Sequence, residues 1–167
     1  IAIPHNVRVA IQSRVRAMPP ATQQALQVAA VRGAEFELEV VRQVRQLYED
    51  SAADALEAAE RAEIVRPVSE DGGRRYAFTH SLIPAAMLED LRAADKRRLH
   101  ARIAAVLETL QPEAFETLAY HYSAASEREH AVRYLVLAGD RAYALYALPE
   151  AIDNYNAALE LQRAAQR

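Results

Sequence analysis

A mainly α-helical chain carrying one β-hairpin is what this sequence predicts, and three observations predict it. Apolar residues recur at three- and four-residue spacing through most of the chain, the mark of one-sided helices. The period breaks once, over residues 63–78, where two short β-leaning runs flank Glu70-Asp71-Gly72-Gly73. Composition agrees: 51% of the 167 residues are hydrophobic, Gly numbers only 4 and Trp is absent. An Ala-rich chain of that kind favours close-packed helices over a sandwich or barrel.

The first helix is expected from Asn6 as N-cap, with Val7, Ile11, Val15 and Met18 on one face and Pro19-Pro20 as its stop. A second helix follows with Leu26, Ala29 and Ala30, and Gly33 fits its C-cap. Leu38, Val41, Val44, Leu47 and Tyr48 mark a third. A fourth opens on Ser51, with Asp54 three residues on, close to a capping box.

The strands of the hairpin are Glu-Ile-Val-Arg-Pro-Val-Ser and Arg-Arg-Tyr-Ala-Phe, ending at Ser69 and Phe78. Pro67 cannot donate to a ladder, so its strand must lie at an edge. Helices followed by a single hairpin are the winged-helix order, and residues 1–80 are assigned to such a domain with its preceding helix.

Ser81 then caps a helix bearing Leu82, Ile83, Met87, Leu88 and Leu91, and Pro84 falls in its first turn, where a missing N–H costs little. A strong helix follows, with Leu99, Ile103, Val106, Leu107 and Leu110 on one face and Lys96, Arg97, Arg98 and Arg102 largely on the other. Residues 81–111 form a helical connector.

From residue 112 onward the pattern repeats. Ala131, Leu135 and Ala138 return 20 residues later as Ala151, Tyr155 and Ala158, short of the roughly 34-residue tetratricopeptide period but matching the small-large-small pattern of its second helix. Phe115 to Ala125 supplies a first helix for the earlier pair, and Asp140 to Leu148 a shorter one for the later. The fold class is therefore a winged-helix domain with one β-hairpin, a helical connector, and tetratricopeptide-like α-hairpins at 112–167 in an incomplete array.

A net charge of −3 gives no bulk attraction to nucleic acid or to an anionic membrane. Cys is absent, which excludes disulfides and thiolate metal sites. The start lacks a signal-peptide shape and no apolar run reaches membrane-spanning length. The chain begins without Met and ends within a helical pattern, so it is expected to be a piece of a larger cytoplasmic protein. It has no phosphate-cradling Gly loop, no nucleophile elbow and no paired metal-binding histidines, which argues against an autonomous enzyme and gives the chain no cofactor or metal of its own.

His100, His121 and His130 are scattered and read as packing or surface residues. His80 stands at the joint of strand and helix, and the residues alone leave it open between a strand-end polar group and a site residue. The helix before the hairpin carries six acids (Glu49, Asp50, Asp54, Glu57, Glu60, Glu63) against Arg61, a net of −5. Phosphate binding depends on Lys and Arg, so DNA binding through this element is disfavoured. The run Lys96, Arg97, Arg98, Arg102 is either a solvated helix face or a docking surface for an acidic partner.

Taken together, several stretches resemble one family. Arg14 to Pro19 followed by Leu26 to Phe36 is similar to the segment after the nucleotide-binding core of bacterial STAND-type ATPases, the large ATP-binding LuxR-type regulators and the ATPases attached to class III adenylate cyclases. Phe78-Thr79-His80-Ser81-Leu82-Ile83, the later Arg97-Arg98-Leu99-His100, and residues 131–161 resemble the stretches that follow there. The resemblance covers nearly the whole chain. It implies a signal-transduction and transcription-regulation protein in which a P-loop core precedes a winged helix and a tetratricopeptide sensor. ADP or ATP would then be bound by the full-length protein, and a protein or small-molecule inducer would act on the repeats. It also implies that His80 occupies the place of a histidine that contacts the β-phosphate of ADP and holds the closed state. Ser81 stands where that motif has an acid, and Pro84 where the family usually has Arg. A DNA-binding winged-helix regulator and a plain helical-repeat scaffold are the alternatives.

Overall fold

The computed structural model describes residues 4–68 and 74–164. It is mainly helical, with a small three-stranded antiparallel sheet. The chain divides into two compact units, Ile1–Leu99 and His100–Arg167.

In the first unit, helices α1 (His5–Arg16) and α2 (Pro20–Arg32) are set by prolines. Pro4, not Asn6, precedes the first turn of α1: its fixed φ hands the chain directly to the helix, and the helix starts two residues early. Pro19 then ends the α1 segment while Pro20 opens α2, where a missing N–H is harmless. Ile11 and Val15 are the buried residues of α1. Gly33 closes α2 as expected, at φ 140°, with its N–H donating to the Ala29 carbonyl at 3.0 Å.

A strand that the sequence did not announce comes next: β1 (Glu35–Glu37). Its three residues are too short for a period, and two acids flank its one apolar residue. Phe36 is nonetheless fully buried, stacked on Tyr76 at 6.0 Å and tilted against Phe78 at 5.5 Å. Helix α3 (Leu38–Arg45) then stops at Gln46, whose φ of 54° is left-handed. Leu47 and Tyr48 therefore fall outside the helix expected to include them, and Tyr48 is exposed.

Helix α4 (Glu49–Arg61) begins before Ser51, on Tyr48 as N-cap. Glu49 and Asp50 in its first turn suit the positive helix end, which explains why the helix extends past the expected serine cap. Ala52, Ala55, Leu56 and Ala59 make its buried face, and the carboxylates of Asp54, Glu57 and Glu60 are exposed. At its far end Glu63 takes the left-handed position, φ 55°, and the Ile64 N–H reaches back to the Ala59 carbonyl at 3.0 Å. That position suits glycine, so Glu63→Gly is expected to stabilise the first unit by about 1 kcal/mol, read as a rise in the urea midpoint.

The expected hairpin is β2 (Val65–Pro67) and β3 (Arg75–Phe78), with Val65 opposite Phe78 and Pro67 opposite Tyr76. Its turn, Glu70 to Gly73, lies outside the described residues. The sheet order is β1-β3-β2, so Pro67 does sit in an edge strand. Helix α5 (Leu82–Asp90) packs on α2 and α1 within this unit. Arg8 of α1 pairs with Glu89 at 2.9 Å, and Gln12 donates to Asp90 at 2.7 Å.

Helix α6 (Ala93–Leu110) spans the division between Leu99 and His100. Within the second unit it supplies His100, Ile103, Ala104 and Leu107 as buried residues. Helix α7 (Phe115–Ala125) lies where the sequence places it. Helix α8 (Arg128–Ala144) runs further than expected: Asp140 to Ala144 complete it rather than opening a new helix. Gly139, inside α8, serves close packing. A tight turn then leads to α9 (Leu148–Ala164). The two small-large-small copies thus lie on consecutive helices, and the ring of Tyr155 sits against Gly139.

Candidate functional site

His80 follows β3 by two residues and precedes α5. Thr79 between them is doubly tied: its N–H donates to the Ile64 carbonyl at 3.1 Å and its hydroxyl to the Glu63 carbonyl at 2.8 Å. The His80 carbonyl accepts from the Ile83 N–H at 3.1 Å, fixing the start of the helix. Ser81 holds the N-cap position, but in helical geometry and without a side-chain capping bond. The expected serine cap is therefore formal only, and the His80 backbone performs that function.

The exposed imidazole of His80 lines an open cleft of about 390 Å³. Arg14, Arg66 and Thr79 border it with Glu60, Glu63 and Val65. Arg14 comes from α1 and donates to the Ala62 carbonyl at 2.5 Å, a cation at the negative end of α4. The cleft thus offers two guanidiniums and an imidazole beside two carboxylates. Such a lining can hold an anionic group against Arg14, Arg66 and His80, provided the group does not approach the carboxylates. Arg14, Glu60 and Glu63 lie far from His80 in sequence, and nothing in their spacing announced them as its neighbours.

Within the first unit, Lys96, Arg97 and Arg98 of α6 are not among the residues lining this cleft. Lys96, Arg97 and Arg98 belong to the first unit and Arg102 to the second. Arg97 and Arg98 are exposed, and Arg98 lies 3.9 Å from Asp95, which also pairs with Arg92 at 2.8 Å. Part of the run is thereby neutralised locally.

The second unit holds two polar clusters. His100 and His121 approach Nδ1 to Nδ1 at 2.8 Å, with His121 fully buried and the Tyr120 ring edge-on to both. Such a contact requires one ring to donate and the other to accept. Burial pushes the His100 pKa below the ordinary histidine value. Nearby, Glu108 of α6 accepts hydrogen bonds from Tyr122 at 2.7 Å and from Tyr134. The two phenol rings stack at 5.6 Å and 5°, and the His130 ring also stacks on Tyr122 at 4.7 Å. Tyr134 and Tyr122 hold the Glu108 carboxyl below its usual range, while desolvation and Glu108 push Tyr134 up to about 12 and Tyr122 higher still. Both clusters tie α6 to α7, and the second ties in α8 as well.

Among the described residues no group of three or more His, Cys, Asp or Glu could hold a metal ion, and no helix is long and apolar enough to cross a membrane. Comparison with protein families, with curated proteins and with solved structures returns no match for the chain.

Proposed function

We propose that this chain is a non-catalytic regulatory segment of a STAND-type signalling ATPase. In this reading the first unit acts as a winged helix that rests on an ADP-loaded core, and the helices from α7 onward start a tetratricopeptide-like sensor. One observation carries the reading: His80 is exposed at the strand-to-helix joint, on a cleft that also presents Arg14 and Arg66. That is where the resemblance puts a phosphate-contacting histidine. The hairpin behind four helices and the antiparallel α7–α8–α9 stack support the same assignment. Glu60 and Glu63 limit what the cleft can do alone, so a nucleotide would be held mainly by the core, with His80 adding one contact in the closed state. A switch of this kind works only if the contact exists in one state and not in the other.

The test uses a longer protein that joins this chain to its nucleotide-binding core. Losing one hydrogen bond to a charged phosphate costs about 1.5 kcal/mol or more, so His80→Ala is expected to speed release of a fluorescent ADP analogue roughly tenfold. Arg66→Ala should act in the same direction. Release unchanged in both variants would remove the nucleotide-sensing role.

A further inference from the structure

Two imidazole rings join α6 to α7 through a single proton. His100 and His121 meet Nδ1 to Nδ1 at 2.8 Å, with ring centroids 5.0 Å apart. His121 is 0% exposed and His100 only 9%, so the contact is shielded from water. The bond exists only while one Nδ1 carries a proton and the other a lone pair. A first added proton goes to the second nitrogen of the donating ring and leaves the N–H···N contact in place, but it leaves a buried charge. A second proton puts hydrogens on both facing nitrogens, and two imidazolium rings that close repel one another. The rings therefore titrate as one coupled unit.

The charged and titratable groups around His100 do not balance that charge. On α6, the cations Lys96 and Arg97 precede it by about one turn. Of the acids on α6, Asp95 is paired with Arg92 and Arg98, and Glu108 accepts from Tyr122 and Tyr134. On α7, the Tyr120 ring stands edge-on to both imidazoles, and Glu116 pairs with Arg141 of α8. On α8, Arg133 and His130, the latter paired with Glu127, act on Glu108. Burial is the cause that moves His100, and it moves it downward.

Helix α6 is thus tied at two places that answer acid differently. The imidazole pair holds one end, and the Glu108 carboxylate holds the helix about two turns further on. Tyr134 and Tyr122 keep Glu108 below its ordinary value, so its tie outlasts the pair as pH falls. We propose that the His100–His121 pair is a proton-operated latch: mild acid frees the His100 end of α6 from α7 while Glu108 keeps the far end seated. The window lies between the ordinary histidine and glutamate values of 6.5 and 4.5. This device uses only the second unit and does not depend on the nucleotide-sensing reading.

Hydrogen–deuterium exchange of the whole chain at about pH 7 and pH 5, corrected for intrinsic rates, tests it. Amides of residues 101–107 are expected to lose about tenfold in protection at the lower pH, while those of α8 keep theirs. His100→Asn combined with His121→Asn retains a side-chain hydrogen bond between the two positions and takes up no proton, so its protection should be equal at both pH values. Ring nitrogen-15 NMR of the wild type gives a readout free of any variant. It should show one Nδ1 protonated and the other not at neutral pH, and both rings should report the same two titration steps inside the window. Equal protection of residues 101–107 at both pH values overturns the latch. So does a loss spread evenly through α8 and α9, which is general acid unfolding. A loss that persists in the double asparagine variant removes the histidines from the device. Where that variant does not fold, two ring titrations that share no step remove them instead.

Discussion

Gly139→Val is expected to cost the second unit about 3 kcal/mol, one of the two largest single-residue effects in this chain. A Cβ at Gly139 would stand 2.6 Å from Cε1 of Tyr155, 2.8 Å from Cδ1 and 3.0 Å from Cζ. Contacts that short force a shift, and the ring is not free to swing away, because its hydroxyl donates to Asp140 at 2.7 Å. Two effects compete. Replacing a mid-helix glycine with alanine gains roughly 0.5–1 kcal/mol of helix stability, while overpacking costs about 1–3 kcal/mol. For alanine the sum is a loss of about 1 kcal/mol; valine adds two methyl groups to the same space and loses the propensity gain. Urea unfolding followed by circular dichroism measures both. The decisive comparison is Gly139→Ala in a Tyr155→Leu background, where the clash is gone and the substitution should become stabilising. If Gly139→Ala already stabilises the unmutated chain, the close α8–α9 approach does not constrain that position.

Gly139 also shows what could and could not be read from the sequence. As a residue type it signals a break, and a new helix was expected to begin at Asp140; the packing partner that explains it stands sixteen residues on, at Tyr155. The hairpin was legible because periodicity changes there over enough residues to be counted. Strand β1 was not, since Glu-Phe-Glu has no period and its pairing with β3 joins residues forty apart. Helix starts at Asn6 and Ser51 were misplaced for one physical reason: a side chain able to cap does not stop a helix from starting earlier when Pro4, or Glu49 and Asp50, favour the preceding turn. His80 could be located at its joint, but the guanidiniums beside it arrive from α1 and β2. The pairing of His100 with His121 was hidden in the same way, because a lone histidine on a helix carries no mark of the ring it will meet.

The Glu108 cluster leads to the second large effect. Glu108→Ala is expected to destabilise the second unit by about 2–3 kcal/mol, because it strands two phenol hydroxyls whose rings are only 3% and 4% exposed, and bonds to a charged acceptor contribute about 1.5–3 kcal/mol each before water compensates in part. Glu108→Gln keeps an acceptor without the charge and should lose about half as much. Adding Tyr122→Phe and Tyr134→Phe to Glu108→Ala should recover part of the loss, since the orphaned hydroxyls are then absent. Melting temperature against pH supplies a check that a simple cavity would not produce. Glu108 is held below its ordinary value in the fold, so its contribution is complete above the ordinary glutamate pKa and is lost as pH falls through the folded one. Tyr134, raised to about 12, and Tyr122, raised further, run the other way: their contribution is complete below the ordinary phenol value and is lost as pH rises through the folded ones. His100 adds an earlier acid limb, because burial depresses its pKa and the unfolded chain takes up that proton first, from about pH 6.5 downward. Wild type should therefore melt highest between about pH 7 and 9. Glu108→Ala should flatten the decline below about pH 4.5 and weaken the alkaline one, while leaving the histidine limb in place. If the variant keeps all three limbs unchanged, the carboxylate is not the acceptor that holds α6, α7 and α8 together.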